Sequence, residues 1–171
     1  MDTGDIEQQL AQLHPATFAW ALSCCSWNAT EAEEVLQSVY LRVLEGRARF
    51  GARSSFKTWL FSVVRNGAAE SRRRRWFRDA ALGRWWHGPT ADATVPAPDE
   101  ELESRQRGAR VREALGRLAA RQREVLDLVF FHGLSIEDAA GVMGVALGTA
   151  RVHYQRGKRR LLALLPREEE E

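Results

Sequence analysis

Apolar positions in this chain recur every three to four residues almost throughout, which predicts helices and no strands. The clearest case lies between Leu134 and Arg160. There Ile136, Ala139, Ala140 and Met143 fall at i, i+3, i+4 and i+7, with Ser135 placed to cap and Asp138 three residues on to complete a capping-box-like pair. Gly144 is the expected stop, and Val145 and Ala146 form the corner. From about Leu147 a second helix turns Ala150, Tyr154, Gly157 and Leu161 inward, and leaves Thr149, Arg151, Val152, Gln155, Arg156 and Arg159 outward. Two short helices around a tight corner, the second strongly basic, describe a helix-turn-helix that binds DNA. Arg can reach guanine edges as a fork, and Thr or Gln can bond a phosphate or a base.

Upstream, the period predicts a helix from about Asp5 to Trp27, broken or restarted near Pro15, with Ile6, Leu10, Leu13, Phe18, Ala21 and Leu22 as its apolar face. A turn and cap at Asn28 to Thr30 lead into an amphipathic helix burying Val35, Leu36, Val39, Tyr40 and Val43, with Glu31, Glu33 and Glu34 in its dipole-favoured first turn. After a short basic loop, Gly46 to Arg53, either Ser54 or Ser55 caps a long third helix that buries Phe56, Leu60, Val63 and Val64. Trp59 also reads as core on spacing. The period then degrades through HGPTADATVPAPDEE, a linker by composition, although RDAALGRWWHG before it suits a helical extension and Trp85-Trp86 a docked pair. A second helical unit begins near Asp99 or Glu100 and continues through a helix at about Ala120 to His132, stopped by Gly133. The fold class is therefore all-α, with two small helical domains at 1–76 and 100–166, a linker at 77–99 and an acidic tail at 167–171.

Composition adds little until it is resolved along the chain. The formal net charge is only +2, yet residues 1–45 carry seven acidic groups against Arg42 alone, and residues 46–87 carry eleven basic groups against Glu70 and Asp79. A basic block ending in Arg72-Arg73-Arg74-Arg75 points to phosphate, because each neutralised phosphate releases counterions. No apolar run reaches the roughly 18 residues of a membrane span, and MDTGDIEQQL lacks the basic-then-apolar order of a signal peptide, so no membrane insertion and a cytoplasmic address are expected. Cys24 and Cys25 are adjacent, and no metal-ligand spacing surrounds His14, His87, His132 or His153, so the cysteines read as small apolar residues and no metal or cofactor is expected.

Two motif blocks resemble one family. ALGRLAARQREVLDLVFFHGLSIEDAAGVMGVALGTARVHYQRGKRRLLALL, Ala114 to Leu165, is similar to domain four of the bacterial extracytoplasmic-function sigma factors, and AEEVLQSVYLRVLEGRARFGARSSFKTWLFSVVRNGAAESRRRR, Ala32 to Arg75, is similar to their domain two. The resemblance implies a dissociable transcription initiation factor, not an enzyme, whose partners are core RNA polymerase, promoter DNA and an anti-sigma factor. It implies that Glu34, Leu36, Gln37, Leu41 and Arg42 lie near the coiled coil of the polymerase largest subunit. It implies that Arg49, Phe50, Ser54, Lys57, Arg65, Asn66, Glu70, Arg72 and Arg73 recognise and open the -10 element, where a base is extruded into a pocket. It implies that Thr149, Arg151, Val152, His153, Gln155 and Arg156 read the -35 element, while Lys158, Arg159 and Arg160 touch phosphate or the polymerase flap. The chain departs from the family pattern at Ser38, Leu44, Ala146 and Leu147.

Two other readings compete. A regulator of the response-regulator effector type shares the helix-turn-helix, but requires an upstream α/β domain that residues 1–75 do not suggest. An enzyme acting on DNA needs a nucleophile or metal carboxylates beside the basic block, where Ser54 and Ser55 already read as caps.

Overall fold

The computed structural model describes residues 3–81, 110–111 and 113–165, and these contain helices and no strand. The chain divides into two compact units, Met1–Thr94 and Val95–Glu171. The linker composition from His87 onward, the docked Trp85-Trp86, the start of the second unit near Asp99 and the acidic tail lie outside the described residues.

Three helices build the first unit: α1 (Thr3–Cys24), α2 (Ala29–Leu44) and α3 (Phe56–Ala81). The expected break at Pro15 does not occur, and α1 runs through it. Pro15 and Ala11, whose carbonyl loses its amide partner there, are both exposed, so water can serve that carbonyl. One turn on, the Thr17 hydroxyl donates to the Leu13 carbonyl at 2.8 Å. Asn28 caps α2 by accepting the Glu31 amide at 3.0 Å. Ser55, rather than Ser54, caps α3, its Oγ accepting the Thr58 amide at 3.0 Å.

The core joins Leu10, Trp20 and Leu22 of α1 to Val35, Leu36, Val39 and Val43 of α2 and Phe56, Leu60, Phe61 and Val64 of α3. Periodicity does not single out Trp20 and Phe61, yet both are fully buried. Their rings stack at 5.8 Å, and the indole Nε1 donates to the Phe61 carbonyl at 3.0 Å. Val63, expected inside, is only half-buried. Gly67 lets α2 and α3 approach closely, since a Cβ there would stand 2.9 Å from Val39 Cγ2. α3 continues to Ala81, past the point at which the linker was expected to begin.

In the second unit, residues 110–111 and 113–116 are helical and precede α4 (Ala120–Phe130), α5 (Ile136–Met143) and α6 (Leu147–Leu164). Gly133 and Gly144 adopt positive φ of 65° and 64°, which makes them the stops that the sequence suggested. The capping pair forms: Ser135 Oγ accepts the Asp138 amide at 3.0 Å and donates to Asp138 Oδ2 at 2.7 Å. Arg121, at the start of α4, donates to the Met143 carbonyl at 3.3 Å and fastens the end of α5. Gly157 sets α6 against α4, where a Cβ would stand 3.1 Å from both Gln122 Cβ and Leu126 Cδ1.

Candidate nucleic-acid and polymerase interfaces

On α3 the inward arc occupies one side and leaves a stripe on the other. Trp59, Ser62, Asn66, Ala69, Arg73 and Trp76 succeed one another at alternating steps of three and four residues, so they form a stripe that winds about 100° round the helix from Trp59 to Trp76. None of the six is buried. Arg65 and Arg72, seven residues apart, flank that line. Four of the expected -10 residues, Arg65, Asn66, Arg72 and Arg73, are thus brought together. Lys57 is not: nine residues before Asn66 is half a turn away, and its ammonium lies 5.6 Å from the centroid of the Phe61 ring.

The arginine run is divided in its duties. Arg75 pairs with Glu31, whose side chain is only 8% exposed, and this ties the start of α2 to the distal part of α3. Arg74 bonds Glu70 at 2.9 Å, and Arg42 reaches the same carboxylate from α2 at 2.9 Å. The hydrogen bond from Arg42, with help from Arg74 and Arg73, holds the Glu70 carboxyl below the usual carboxylate range. Glu70, expected at the -10 element, and Arg42, expected at the polymerase, are thus paired with each other within the unit. Ser38, a departure from the family pattern, serves Arg42 through its Oγ at 3.3 Å. Arg72 and Arg73 remain exposed.

At the near end of α3 the basic loop folds back on itself. Arg47 pairs with Glu45, and Arg49 donates to the Gly46 carbonyl at 3.1 Å. Ala52 holds a positive φ of 52°. Phe50 packs on Phe56 at 5.4 Å and on Trp59 at 5.4 Å, while Ser54 is exposed. Trp59 is therefore not core. It is half-buried, packed between Phe50 and Phe56. The signal missed in the sequence was its seven-residue spacing from Asn66.

On α2, Glu34, Gln37 and Leu41 form an exposed line that Leu44 continues, with Leu41 55% and Leu44 42% exposed. Leu36 is a correction: at 3% exposed it belongs to the core and supports this face from behind. Beside the line, His14, Phe18, Glu33, Gln37 and Tyr40 border an open groove of about 380 Å³ between α1 and α2, in which His14 Nδ1 lies 3.2 Å from the Tyr40 hydroxyl. Burial raises the pKa of that hydroxyl. Cys24 is half-buried and Cys25 buried, and burial pushes the Cys25 thiol up to about 12.

α6 presents Thr149, Arg151, Val152, Gln155 and Arg156 to solvent, with His153 half-buried at the edge. Among the described residues, no carboxylate pairs with Arg151 or Arg156. Val152 is 46% exposed, a methyl-bearing surface of the kind that meets a thymine methyl. Tyr154 turns inward as expected but is only half-buried, packed against the Leu115, Leu118 and Leu126 cluster and stacked on Phe130 at 6.0 Å. Among the described residues no three His, Cys, Asp or Glu side chains gather as metal ligands, and no helix is long and apolar enough to cross a membrane.

Comparison with known proteins adds independent findings. The family model for Sigma-70 region 2 matches residues 10–78, and that for Sigma-70, region 4 matches residues 108–161. The chain is 33% identical over 167 residues to the ECF RNA polymerase sigma factor EcfG of Rhodopseudomonas palustris, covering 95% of this chain and 86% of that one. It is 31% identical over 138 residues to the RNA polymerase sigma factor CarQ of Myxococcus xanthus, covering 81% and 76%. Among solved structures, the sigma factor RpoE of Bartonella quintana, crystallised with the anti-sigma factor NepR, superposes with a TM-score of 0.76 at 28% identity, covering 96% of this chain and 99% of that one.

Proposed function

The chain belongs to the sigma-70 family as an alternative sigma factor of the extracytoplasmic-function group, acting with RNA polymerase in transcription initiation, and on that premise we propose how its residues divide the work. The first unit binds core polymerase and the -10 element, and the second binds the -35 element. The line Glu34, Gln37 and Leu41 docks on the coiled coil of the largest subunit. A line that passes from polar Glu34 and Gln37 to apolar Leu41 suits a partner helix with a mixed face.

Asn66 and Arg73, flanked by Arg65 and Arg72, hold the -10 strand, while Arg49, Phe50 and Ser54 with Trp59 receive an extruded base. Extrusion costs a few kcal/mol, which stacking on an aromatic floor offsets in part. Arg151, Gln155 and Arg156 read -35 base edges, with Thr149, Val152 and His153 beside them, and Lys158, Arg159 and Arg160 meet phosphate or the polymerase flap. The chain itself makes and breaks no bond. It works in the cytoplasm, where polymerase and promoter are, and an anti-sigma factor holds it inactive, as the complex of the related RpoE with NepR suggests.

The observation that carries this reading is that both units, each matching its own sigma region in the right order, expose a basic helix face that the core does not need. A response-regulator effector is not favoured, since it has no use for the region 2 match. The test is to mix the purified chain with core polymerase lacking any sigma factor and to assay initiation on promoters of its own genome. Promoter-dependent transcripts are expected; neither complex nor transcripts would sink the reading.

A further inference from the structure

The outward stripe of α3 does not end at Arg73. It runs on to Trp76, which is 61% exposed, with Phe77 beside it at 59% and the two rings edge to face at 5.0 Å. We propose that Trp76 is a second stacking platform, at the far end of the stripe, for an unpaired base of promoter DNA, so that Trp59 and Trp76 bracket the track of one strand. This rests on the reading of α3 as the -10 face.

Trp76 stands one helical turn beyond Arg72 and Arg73, both exposed, and Arg78 is exposed two residues on. The nearby acidic group is Asp79, which is half-buried, while Glu70 is bound by Arg42 and Arg74. A bare indole among guanidinium groups is thus set beside the chemistry that holds phosphate. The occupant is a single strand rather than a duplex. Paired bases show a protein only their edges, whereas an unpaired base offers a face on which an indole can stack.

Spacing supports the same occupant. Trp59 and Trp76 are seventeen residues apart, about 26 Å along and about 100° round a helix rising 1.5 Å per residue, so a strand that meets both follows the winding of the stripe. Between them the stripe carries the small Ser62 and Ala69 and the amide of Asn66. That low floor between Trp59 and Arg73 leaves room for backbone, with Arg73 itself on the stripe and Arg65 and Arg72 along its side.

The experiment uses the full chain bound to core polymerase and a promoter that the wild-type complex transcribes. Affinity is measured for two probes: a fork-junction DNA whose non-template strand is single-stranded across the -10 element, and the same promoter as full duplex. Trp76→Ala is expected to weaken fork-junction binding about 5- to 100-fold, the range of one lost base stack, with duplex binding unchanged within about twofold. Trp76→Phe should restore most of the loss. The salt dependence should keep its slope in Trp76→Ala and lose about one unit in Arg73→Ala, since only the latter gives up a phosphate contact. Thermal unfolding should not move, because the ring is exposed.

Equal loss on both probes, loss of polymerase binding, or no loss at all in Trp76→Ala each overturns the proposal. An equal loss would point to duplex contact, and weakened polymerase binding to a protein surface. If Asn66→Ala and Arg73→Ala also leave fork-junction binding intact, the reading of α3 as the -10 face falls as well; if they impair it while Trp76→Ala does not, only the second platform falls.

Discussion

α3 and α6 are both long, basic, outward-facing helices, and each is seated on its unit through a glycine, Gly67 against Val39 and Gly157 against Gln122 and Leu126. They differ in what their arginines do. On α3, Arg74 and Arg75 are held by Glu70 and Glu31, and only part of the run faces outward. On α6, Arg151 and Arg156 stand exposed, and among the described residues no carboxylate holds them. An arginine in an ion pair stiffens its helix, while an exposed one keeps its fork for a base edge. The difference matches the tasks proposed for the two helices. α3 must stay rigid while a strand is pulled open along it, and α6 must adapt to base pairs in an intact groove.

The comparison breaks most readily at its seats. Gly67→Val should lower the stability of the first unit by about 1 to 3 kcal/mol, through overpacking against a fully buried Val39, and Gly157→Val should do the same to the second. Thermal unfolding of each variant checks this, and an unchanged melting temperature would mean that the helices can separate at no cost. Next come two arginines of the same run. Arg75→Ala strands the buried Glu31 and should cost the first unit about 2 kcal/mol, less than a fully buried pair because Arg75 itself is partly exposed. Arg73→Ala should leave the melting curve in place and impair promoter opening instead. If both variants behaved alike, the division of the run would be wrong.

On α6, Arg151→Ala and Arg156→Ala should each lose about 1 to 3 kcal/mol of discrimination at one -35 base pair, read by binding to a panel of single-base variants, with folding intact. A last effect lies in the first unit alone. With the Cys25 thiol at about 12 when folded and at its ordinary 9.0 when unfolded, the unfolded chain releases its proton first as pH rises. The group's contribution is therefore constant below pH 9.0 and stability declines above it, by at most about 1.4 kcal/mol per pH unit. Alkylation near neutral pH should mark Cys24 well before Cys25, and equal rates would contradict the burial.

Much of this contrast was legible in the sequence. The helical period located every described helix, and the Ser135 cap, the Gly133 and Gly144 stops and the exposed face of α6 followed from residue type and spacing. What was not legible depends on how far a neighbouring helix reaches. Periodicity marks the apolar side of α3, but not that Trp59 in its first turn stays half-buried, nor that α1 supplies Trp20 to stack on Phe61. Leu36, which the period buried and the resemblance placed near the polymerase, lies under the exposed line of α2, as the period had it. The pairings of Glu31 with Arg75 and of Arg42 with Glu70 span 44 and 28 positions in sequence, and only the packing of α2 on α3 brings them together.

The most direct test of the division of labour is strand opening, followed by permanganate reactivity of unpaired thymines in the -10 element, in complexes of core polymerase with each variant chain. Arg73→Ala combined with Asn66→Ala should still place polymerase on the promoter, as footprinting would show, but leave the thymines unreactive. Arg151→Ala combined with Arg156→Ala should weaken placement while the complexes that do form open normally. The reverse pattern, with opening lost through α6 and placement lost through α3, would contradict the account.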